Sequence, residues 1–314
     1  MKILVTGGAG FIGSQIVDAY LEKGHQVAIL DSLVTGLRRN INPKAKFYEA
    51  DLRDQVKVEQ AVAEFKPEVI NHHAAHLSVS ESVEKPQFTA EVNSIGFLNV
   101  MEAGRKNGLK RVIVASTGGA LYGDTDQVPT TEDHPTEPVS PYGVTKLAME
   151  EYLHYYKVQY GVNWVALRYA NVYGPRQNPK GETGVVAVFL EKINSGQGPV
   201  VFGDGLQTRD YVFVEDVVDA NVAAVEQGSG PYNIGTGIET NVIEIFNQLQ
   251  ALMNSDFPEI HNEARPGEQR RSALDASKAR TELGWQSQVN FTTGLEATVS
   301  RFKSYKEGNE DNRD

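Results

Sequence analysis

The chain has 314 residues, of which 40% are apolar and 23% are charged, a composition typical of a globular protein with a large core. The net charge of −11 argues against nucleic acid or another polyanion as a partner, and the lack of cysteine excludes disulfide bonds and thiolate catalysis. Because the sequence has neither the ~20-residue apolar run of a membrane span nor a signal peptide at its start, we expect a cytoplasmic protein without a membrane partner.

The first half of the sequence alternates short apolar runs with longer helical patterns. Such runs are typical of strands buried on both faces of a parallel sheet, and the helical segments between them predict right-handed crossovers. We therefore expect an α/β fold with a doubly wound parallel sheet. The predicted strands are Lys2–Thr6, Gln26–Leu30, Lys46–Ala50, Glu68–Asn71, Arg111–Ala115 and Asn163–Leu167. The predicted helices cover residues 11–22, 55–65, 88–107 and 142–160.

A glycine-rich turn, TGGAGFIGS, joins the first predicted strand to the first predicted helix. Its glycines match the G-x-G-x-x-G template at Gly8, Gly10 and Gly13, and they also fit a three-residue spacing that begins at Gly7. Glycine lets the chain bend tightly and lets backbone amides approach a pyrophosphate at the helix N-terminus. A strand, this turn and a helix, in that order, predict a dinucleotide-binding site.

Two carboxylates follow the next two predicted strands. Asp31 lies 18 positions after the last glycine of the turn, close to the ~20 residues expected for a carboxylate that binds the adenosine ribose. Such a carboxylate repels a 2′-phosphate, so we expect NAD rather than NADP, although Arg38 and Arg39 lie further along the same loop. Asp51, with Leu52 beside it, is expected to accept a hydrogen bond from the adenine amine.

The stretch NHHAAH, at residues 71–76, contains three histidines, so a zinc site has to be considered. His72 and His73 are adjacent on a predicted strand, so their side chains point to opposite faces and do not readily reach one ion. Acidic residues with ligand-like spacing are not found nearby. We therefore predict no metal, and we expect the small Ala74 and Ala75 to let a dinucleotide lie close to the strand end.

A catalytic group is predicted at the end of the fifth strand and the start of a long helix. The strand ends in AST at Thr117, on the carboxyl edge where open α/β sheets bind ligands. Ser140 and Pro141 mark a helix start, so Tyr142 and Lys146 lie one turn apart on one face. The lysine ammonium and an oxidised nicotinamide would both lower the pKa of the tyrosine. With Thr117 on the substrate oxygen, these residues predict oxidation of an alcohol by hydride transfer.

The sequence changes character after Arg168, where glycine and proline become frequent and the predicted elements become shorter. We expect a nucleotide-binding domain at residues 1–168 and a smaller C-terminal α/β substrate-binding domain at residues 169–314. A segment around residues 212–235 is expected to return to the first domain. The polar end of the chain is expected to fray from about residue 305.

These motifs resemble those of a known family. In the first half, the resemblance to the extended short-chain dehydrogenase/reductase family rests on TGGAGFIG, Asp31, the AST strand end and YGVTK. The second half is similar to nucleotide-sugar 4-epimerases of the UDP-glucose/UDP-galactose type in LRYANVYGPRQ, KGETGVVAVF, VVFGDGLQTRDYVFVEDV, YNIGTG and RPGEQRRSALDASKARTELGW. The resemblance extends from residue 2 to about residue 302. It implies a Rossmann-type fold, NAD as the cofactor and a UDP-sugar as the substrate.

The resemblance also implies roles for individual positions. The implied catalytic residues are Thr117, Tyr142 and Lys146. The implied NAD contacts are Gly7, Gly10, Phe11, Ile12, Gly13, Asp31, Asp51, Leu52, Ala74, Ala75, Asn93, Tyr142, Lys146 and Tyr169. The implied UDP-sugar contacts are Thr117, Tyr142, Asn171, Val185, Val186, Phe202, Arg209, Arg265 and Glu268. The two arginines are suited to a diphosphate, which an acidic chain must bind with individually placed cations.

Within this family, the residues after the threonine indicate the reaction. Relatives that dehydrate a sugar usually have an acidic residue there as a proton donor, whereas this chain has Gly118 and Gly119. The reductase-epimerases that make GDP-fucose rely on a cysteine, which this chain lacks. The resemblance therefore implies epimerisation, in which Tyr142 takes the C4-hydroxyl proton as hydride passes to NAD. The 4-keto sugar then turns over and receives the hydride on its opposite face.

Two questions about substrate and assembly stay open at this point. Ser272 replaces a bulky residue of some relatives beside the sugar, which favours an N-acetyl group, and GPRQ is also found in relatives that act on UDP-glucuronate. A UDP-glucuronate 4-epimerase or another nucleotide-sugar enzyme of the family is therefore an alternative, and a non-catalytic dinucleotide-binding regulator is a remote one. Because relatives pair two helices into a four-helix bundle, we expect a homodimer through residues 88–107 and 142–160.

Overall fold

The computed structural model describes residues 1–178, 184–264 and 269–310, with side chains described as far as residue 304. In these ranges the chain forms a large parallel sheet with helices on both faces and a smaller α/β part beside it. None of the helices in the described ranges is long and apolar enough to cross a membrane.

The described residues form several strands, seven of which make up a large sheet that is parallel throughout. The strands are β1 (Lys2–Thr6), β2 (Gln26–Asp31), β3 (Lys46–Glu49), β4 (Val69–His72), β5 (Arg111–Thr117), β6 (Asn163–Tyr169), β7 (Asn171–Tyr173), β8 (Val200–Phe202), β9 (Thr208–Phe213), β10 (Gly230–Ile234), β11 (Glu239–Asn241) and β12 (Ile260–Asn262). Among the described residues, seven of them form the sheet in the order β10-β6-β5-β4-β1-β2-β3. The order runs outward from β1 on both sides, so a crevice opens between β1 and β4 at the carboxyl edge.

Helices cover both faces of this sheet. They are α1 (Phe11–Glu22), α2 (Gln55–Phe65), α3 (Val79–Glu84), α4 (Pro86–Ala90), α5 (Gly96–Lys106), α6 (Gly118–Leu121), α7 (Pro141–Tyr160), α8 (Val185–Asn194), α9 (Val214–Ala224), α10 (Val242–Met253), α11 (Ser277–Leu283) and α12 (Phe291–Glu310). Successive strand residues point to opposite faces. Ile3 therefore packs with α1, α9 and α11, whereas Leu4 packs with α2, α5 and α7.

The smaller part has its own core. Strands β11, β9 and β7 form one short sheet, and β12 pairs with β8. Apolar side chains of α8, α10 and α12, including Phe189, Phe246 and Leu295, are buried together beneath them. The segment from α9 to β10 returns to the large sheet, because α9 packs on α1 and β10 pairs with β6. The domain boundaries at residues 168 and 169 stay a prediction.

The predicted fold class is confirmed, and the predicted strands of the first half lie within two residues of β1 to β6. The stretch predicted as helical at 88–107 is helical from Pro86 to Lys106, and a π-helical turn at Glu91–Ile95, which was not predicted, joins α4 to α5. The wider turn directs the amide of Asn93 to the backbone of His76, with hydrogen bonds of 2.7 and 3.1 Å. A uniform helical pattern in sequence does not reveal such an inserted residue.

Asp216, at the start of α9, links the large sheet to the segment before α12. Its buried carboxylate accepts hydrogen bonds from Ser287 Oγ (2.8 Å) and from the amides of Gln288 (3.0 Å) and Val289 (3.2 Å). Asp216→Ala leaves these donors without an acceptor, so we expect a loss of about 2–4 kcal/mol in the free energy of unfolding. Urea denaturation followed by circular dichroism measures it. Asp219→Ala, on the exposed face of α9, is the control; equal losses in both variants would contradict the assignment.

Candidate active site

A cavity of about 560 Å³ opens at the carboxyl edge of the large sheet. Turns that follow β1, β2, β3 and β4 form one side, and the end of β5 and the start of α7 form the other. It therefore lies in the crevice where doubly wound sheets bind their ligands. Its walls include most of the predicted site, namely Gly7, Gly10, Phe11, Ile12, Gly13, Asp31, Asp51, Leu52, Ala74, Ala75, Thr117, Tyr142, Lys146 and Tyr169.

The glycine turn brings the backbone close to β4. Gly7 has a φ of +70°, and a methyl group added to it would lie 2.7 Å from the amide nitrogen of Ala74. A methyl group on Gly13 would overlap the carbonyl oxygen of Gly7. Gly10 precedes α1 without a side-chain cap, and the first turn of α1 has no acidic residue. Because the first amides of a helix lack intrahelical partners, this end of the cavity can bind an anion.

Two carboxylates lie at the other end of this wall. Asp31 accepts hydrogen bonds from the amides of Ala9 (3.0 Å) and Leu33 (2.8 Å), which fix its orientation. Burial raises the pKa of the Asp31 carboxyl, and these amides oppose the rise. Asp51 instead forms a bidentate ion pair with Arg53, and this hydrogen bonding lowers the pKa of Asp51. Asp51 is therefore engaged by a cation that the sequence reasoning did not consider.

The side chains of the adjacent His72 and His73 bond to different partners. His72 is buried and shares a hydrogen bond with Thr6 (2.9 Å), whereas His73 lies at the cavity and contacts the Tyr169 hydroxyl at 3.1 Å. Burial lowers the pKa of His73 to about 3 and that of His72 well below its usual value. Both rings are therefore neutral, and the predicted contact of the next two alanines with a dinucleotide is compatible with their position on the wall.

Asn93 does not line the cavity as the other predicted NAD contacts do. It is fully buried, and its side chain bonds the His76 backbone and the Thr145 hydroxyl, at 3.1 Å for the latter. The Thr145 hydroxyl in turn donates to the carbonyl of Tyr142. In the protein alone, Asn93 therefore connects the loop after β4 to the first turn of α7, and its contact with NAD stays a prediction.

Local sequence explains how α7 presents its first turn to the cavity. Ser140 caps the helix by accepting a hydrogen bond from the amide of Gly143 (3.1 Å), and Pro141 occupies the first helical position. Tyr142 and Lys146 follow one turn apart, and the Lys146 ammonium lies 5.8 Å from the centre of the Tyr142 ring. Thr117, at the end of β5, lines the same cavity as these two residues. The predicted catalytic residues are thus brought together.

The titration of these two groups differs from the expectation for the tyrosine. Burial raises the pKa of Tyr142 to about 12, although the hydrogen bond with Thr117 opposes it. Burial also lowers the pKa of Lys146 to about 8, and the charge of Glu150 opposes that change. In the protein alone, the nearby lysine is therefore insufficient to lower the pKa of the tyrosine, because loss of hydration outweighs it.

Several predicted UDP-sugar contacts lie outside the cavity walls. Asn171 is exposed, with its amide oxygen 4.0 Å from the position of a methyl group added to Gly119. Val186 is buried in the core of the smaller part, next to Val185 at the start of α8. Phe202 ends β8, and Arg209 in β9 donates to the carbonyl of Thr208. Arg265 and Glu268 lie outside the described residues.

Sequence reasoning missed several residues of the site. Arg53 lies on the wall and stacks over the Phe88 ring at 5.0 Å. Glu150 and Arg168 form a buried ion pair below the strand end. Glu150 follows Lys146 by four positions on the same helical face, and this spacing was the available signal. Their pairing across two elements has no signature in sequence.

Comparison with known proteins supports the assignment of the family. The model of the NAD-dependent epimerase/dehydratase family matches residues 3–235. A UDP-glucose 4-epimerase of Mycolicibacterium smegmatis is 45% identical over 97% of this chain and 99% of its own length.

Solved structures give the same result. The UDP-glucose 4-epimerase of Thermotoga maritima, in complex with UDP-glucose, superposes with a TM-score of 0.95 at 44% identity, covering 98% of this chain and 100% of that chain. The UDP-glucose 4-epimerase of Thermus thermophilus, in complex with NAD, superposes with a TM-score of 0.93 at 43% identity, covering 96% of this chain and 99% of that chain.

The glycine turn gives a test of the binding wall. Gly13→Ala introduces a methyl group that overlaps the Gly7 carbonyl, so we expect NADH to bind about 10-fold to 100-fold more weakly, since overpacking costs about 1–3 kcal/mol. Fluorescence titration of nucleotide-free protein measures this affinity. Gly119→Ala, where the nearest heavy atom would be 4.0 Å away, is the control. Unchanged affinity in folded Gly13→Ala would refute the role of the turn.

Proposed function

Because this chain belongs to the NAD-dependent epimerase/dehydratase family, we propose that it is an isomerase that inverts C4 of a UDP-hexose such as UDP-glucose or UDP-galactose. One observation carries this proposal: Thr117, Tyr142 and Lys146 meet on a wall of the same cavity as the glycine turn. An alcohol-oxidising group beside a dinucleotide site is what C4 epimerisation requires. The near full-length similarity to UDP-glucose 4-epimerases supports the substrate class.

The cavity fits NAD as the cofactor of this reaction. Side chains are excluded at Gly7 and Gly13, where the backbone would approach a pyrophosphate. We propose that the glycine turn and the start of α1 hold the pyrophosphate. We further propose that Asp31 holds the adenosine ribose and that Lys146 holds the nicotinamide ribose. When bound, NAD supplies a reversible acceptor for the hydrogen on C4 of the sugar.

Tyr142 is the proposed general base. It takes the proton of the sugar 4-hydroxyl while the Thr117 hydroxyl hydrogen-bonds the same oxygen. The Lys146 ammonium, 5.8 Å from the ring, stabilises the phenolate. After the 4-keto sugar has turned over in the cavity, Tyr142 returns the proton to the oxygen. Since burial raises the pKa of Tyr142 to about 12, we expect the tyrosine to act as a base only when NAD is bound, because the oxidised nicotinamide would add positive charge beside it.

The residues after Thr117 favour epimerisation over dehydration. Elimination of water needs an acid beside the sugar, and Gly118 and Gly119 supply none. A side chain at Gly118 would overlap the side chain of Leu274, whereas a methyl group at Gly119 would meet only the amide oxygen of Asn171, at 4.0 Å. Gly118 therefore cannot be replaced by an acid without displacing Leu274.

The binding of the UDP group stays a prediction for this chain. We propose that Asn171, Val185, Val186, Phe202, Arg209, Arg265 and Glu268 contribute to it. Ser272 is half-buried next to Ala273 and Leu274, and we propose that it leaves room for an N-acetyl group. UDP-glucuronate remains the alternative substrate, because the GPRQ sequence is also found in relatives that act on it.

We also propose that the protein is a cytoplasmic homodimer. Val144, Tyr155 and Val158 are exposed on α7 at helical spacing, and Ile95 is exposed on the π-helical turn that packs against α7. Burying these side chains against a second copy would form a four-helix bundle. The cytoplasmic location is supported by the lack of cysteine.

The function is tested with purified protein and a panel of UDP-sugars without added coenzyme. We expect UDP-glucose and UDP-galactose to interconvert, because NAD is regenerated in each cycle. Tyr142→Phe should reduce turnover by about 100-fold to 10,000-fold while NAD stays bound, since it removes a general base and keeps the ring. Chromatography that resolves C4 isomers measures the interconversion in the wild type and the loss of turnover in Tyr142→Phe.

The panel also includes N-acetylated and uronic UDP-sugars, to separate the substrate alternatives. A product lighter by one water would indicate a dehydratase instead. Full activity in Tyr142→Phe would exclude the proposed base, and turnover confined to UDP-glucuronate would favour the alternative substrate.

The assembly is tested by light scattering. We expect a mass of twice 34.5 kDa at micromolar concentration, and Val158→Glu should shift it toward the monomer, because a charge would be buried in the bundle. Val34→Glu, at an exposed valine far from α7 in sequence, is the control and should leave the mass unchanged. A monomeric wild-type protein would contradict the proposal.

A further inference from the structure

A buried ion pair lies directly below the proposed catalytic residues. Glu150 of α7 and Arg168 of β6 are each 5% exposed. The guanidinium donates two hydrogen bonds to the carboxylate, from Nη2 to Oε2 at 2.6 Å and from Nε to Oε1 at 3.1 Å. A buried pair contributes little net stability compared with apolar residues of the same volume, because both ions lose their hydration. Its placement beside the site therefore suggests a purpose other than stability.

Glu150 and Lys146 together hold two successive residues of β5. Ser116 Oγ donates to Glu150 Oε1 at 2.6 Å, and Lys146 Nζ donates to the carbonyl oxygen of Ala115 at 2.7 Å. The two side chains lie one turn apart on the same face of α7. Their contacts fix how far along β5 the helix lies, and hence the position of its tyrosine relative to Thr117, the next residue of the strand.

Arg168 extends this network away from the cavity. Its Nη1 donates to the Tyr122 hydroxyl at 2.9 Å, and that hydroxyl donates to Asn233 Oδ1 at 2.7 Å. Asn233 of β10 in turn donates to the carbonyls of Thr130 (2.9 Å) and Asp275 (3.2 Å). The carboxylate of Glu150 is thus held by neighbours that are themselves fixed, and it ties α7 to them.

We propose that Glu150 is a positioning residue for epimerisation: it aligns α7 on β5 through Ser116, and its negative charge keeps the Lys146 ammonium charged beside the base. This proposal rests on the proposed function. The task of keeping Lys146 charged is thus assigned to Glu150, a residue that does not line the cavity.

The charges around Lys146 support this assignment. Burial lowers the pKa of Lys146 to about 8, and the Glu150 charge raises it. At the end of β4, His72 and the next residue, His73, are neutral, because burial and the lysine charge both lower their pKa values. Tyr142 on α7 is also neutral in the protein alone, and the guanidinium on β6 is engaged by Glu150. Glu150 is therefore the anion that opposes the loss of the Lys146 proton.

Glu150→Gln tests the proposal in the NAD-loaded enzyme. The variant keeps an oxygen for Ser116 and removes the charge, so Lys146 should lose its proton at lower pH. We expect the alkaline fall of kcat to move about one pH unit downward, with a loss of about tenfold above it and little loss below, and an unchanged KM for the UDP-sugar. Glu151→Gln, the next residue and exposed, should follow the wild-type profile.

A second readout does not depend on turnover. The near-ultraviolet absorbance of phenolate, taken as the difference between proteins with Tyr142 and with Tyr142→Phe, reports the titration of this tyrosine in the NAD complex. At a pH where Lys146 has lost its proton in Glu150→Gln but not in the wild type, we expect less phenolate in the variant, because less positive charge then faces the ring. A wild-type chain that binds NAD without epimerising any UDP-sugar would defeat the proposed function, while this titration would still judge Glu150.

Arg168 loses its partner in Glu150→Gln, so the variant could fail to fold. In that case Glu150→Gln/Arg168→Gln, which removes both charges, carries the same measurements and should show smaller shifts in the same directions, because the loss of the Arg168 charge partly offsets the loss of the Glu150 charge. The proposal is overturned if kcat falls by the same factor at every pH, which is the result of a merely structural role. It is equally overturned if the pH profile and the phenolate titration both coincide with those of the wild type.

Discussion

Keeping a lysine charged inside the protein is the constraint on which the rest of the site depends. Lys146 is 1% exposed, and a buried ammonium group keeps its proton only if hydrogen bonds and an anion replace its hydration. The Ala115 carbonyl supplies a hydrogen bond, and Glu150 supplies the charge. Both partners also hold α7 against β5. Lys146 is also the residue that we propose to act on Tyr142. One set of contacts therefore both keeps Lys146 charged and holds α7 in position on β5.

The topology brings the two halves of the chemistry to one edge. In a doubly wound sheet, a helix that follows a strand starts at the carboxyl edge, so its positive end faces the ligand crevice. The starts of α1 and α7 both line the cavity, where we propose that the amides of α1 bind the pyrophosphate and that Tyr142 of α7 faces the sugar. The order of the strands places these two helix starts on opposite sides of the same cavity. Binding of the coenzyme and placement of the base therefore follow from one arrangement of strands.

Features set by neighbouring residues could be predicted from the sequence, whereas features set by distant pairs could not. The glycine turn, the cap at Ser140 and Pro141, and the one-turn spacing of Tyr142 and Lys146 all depend on local spacing, and the structure contains each of them. The pairing of Glu150 with Arg168 joins a helix to a strand. The extent of burial, which raises rather than lowers the pKa of Tyr142 in the protein alone, depends on the whole fold. Residue types therefore revealed the chemistry but not its electrostatics.

The space beside Gly118, where a proton donor for dehydration would be needed, is filled by a side chain from a distant part of the sequence. Leu274 occupies the space that a side chain at Gly118 would need. The leucine is fixed by its backbone, since its amide donates to the buried carboxylate of Asp210 at 3.2 Å and its neighbours pair with Thr130. An acid introduced at position 118 would therefore require the Leu274 side chain to move aside, while the Leu274 amide stays bonded to Asp210, which also accepts hydrogen bonds from the amides of Thr236 and Gly237. The room for such an acid thus depends on how the Leu274 side chain packs.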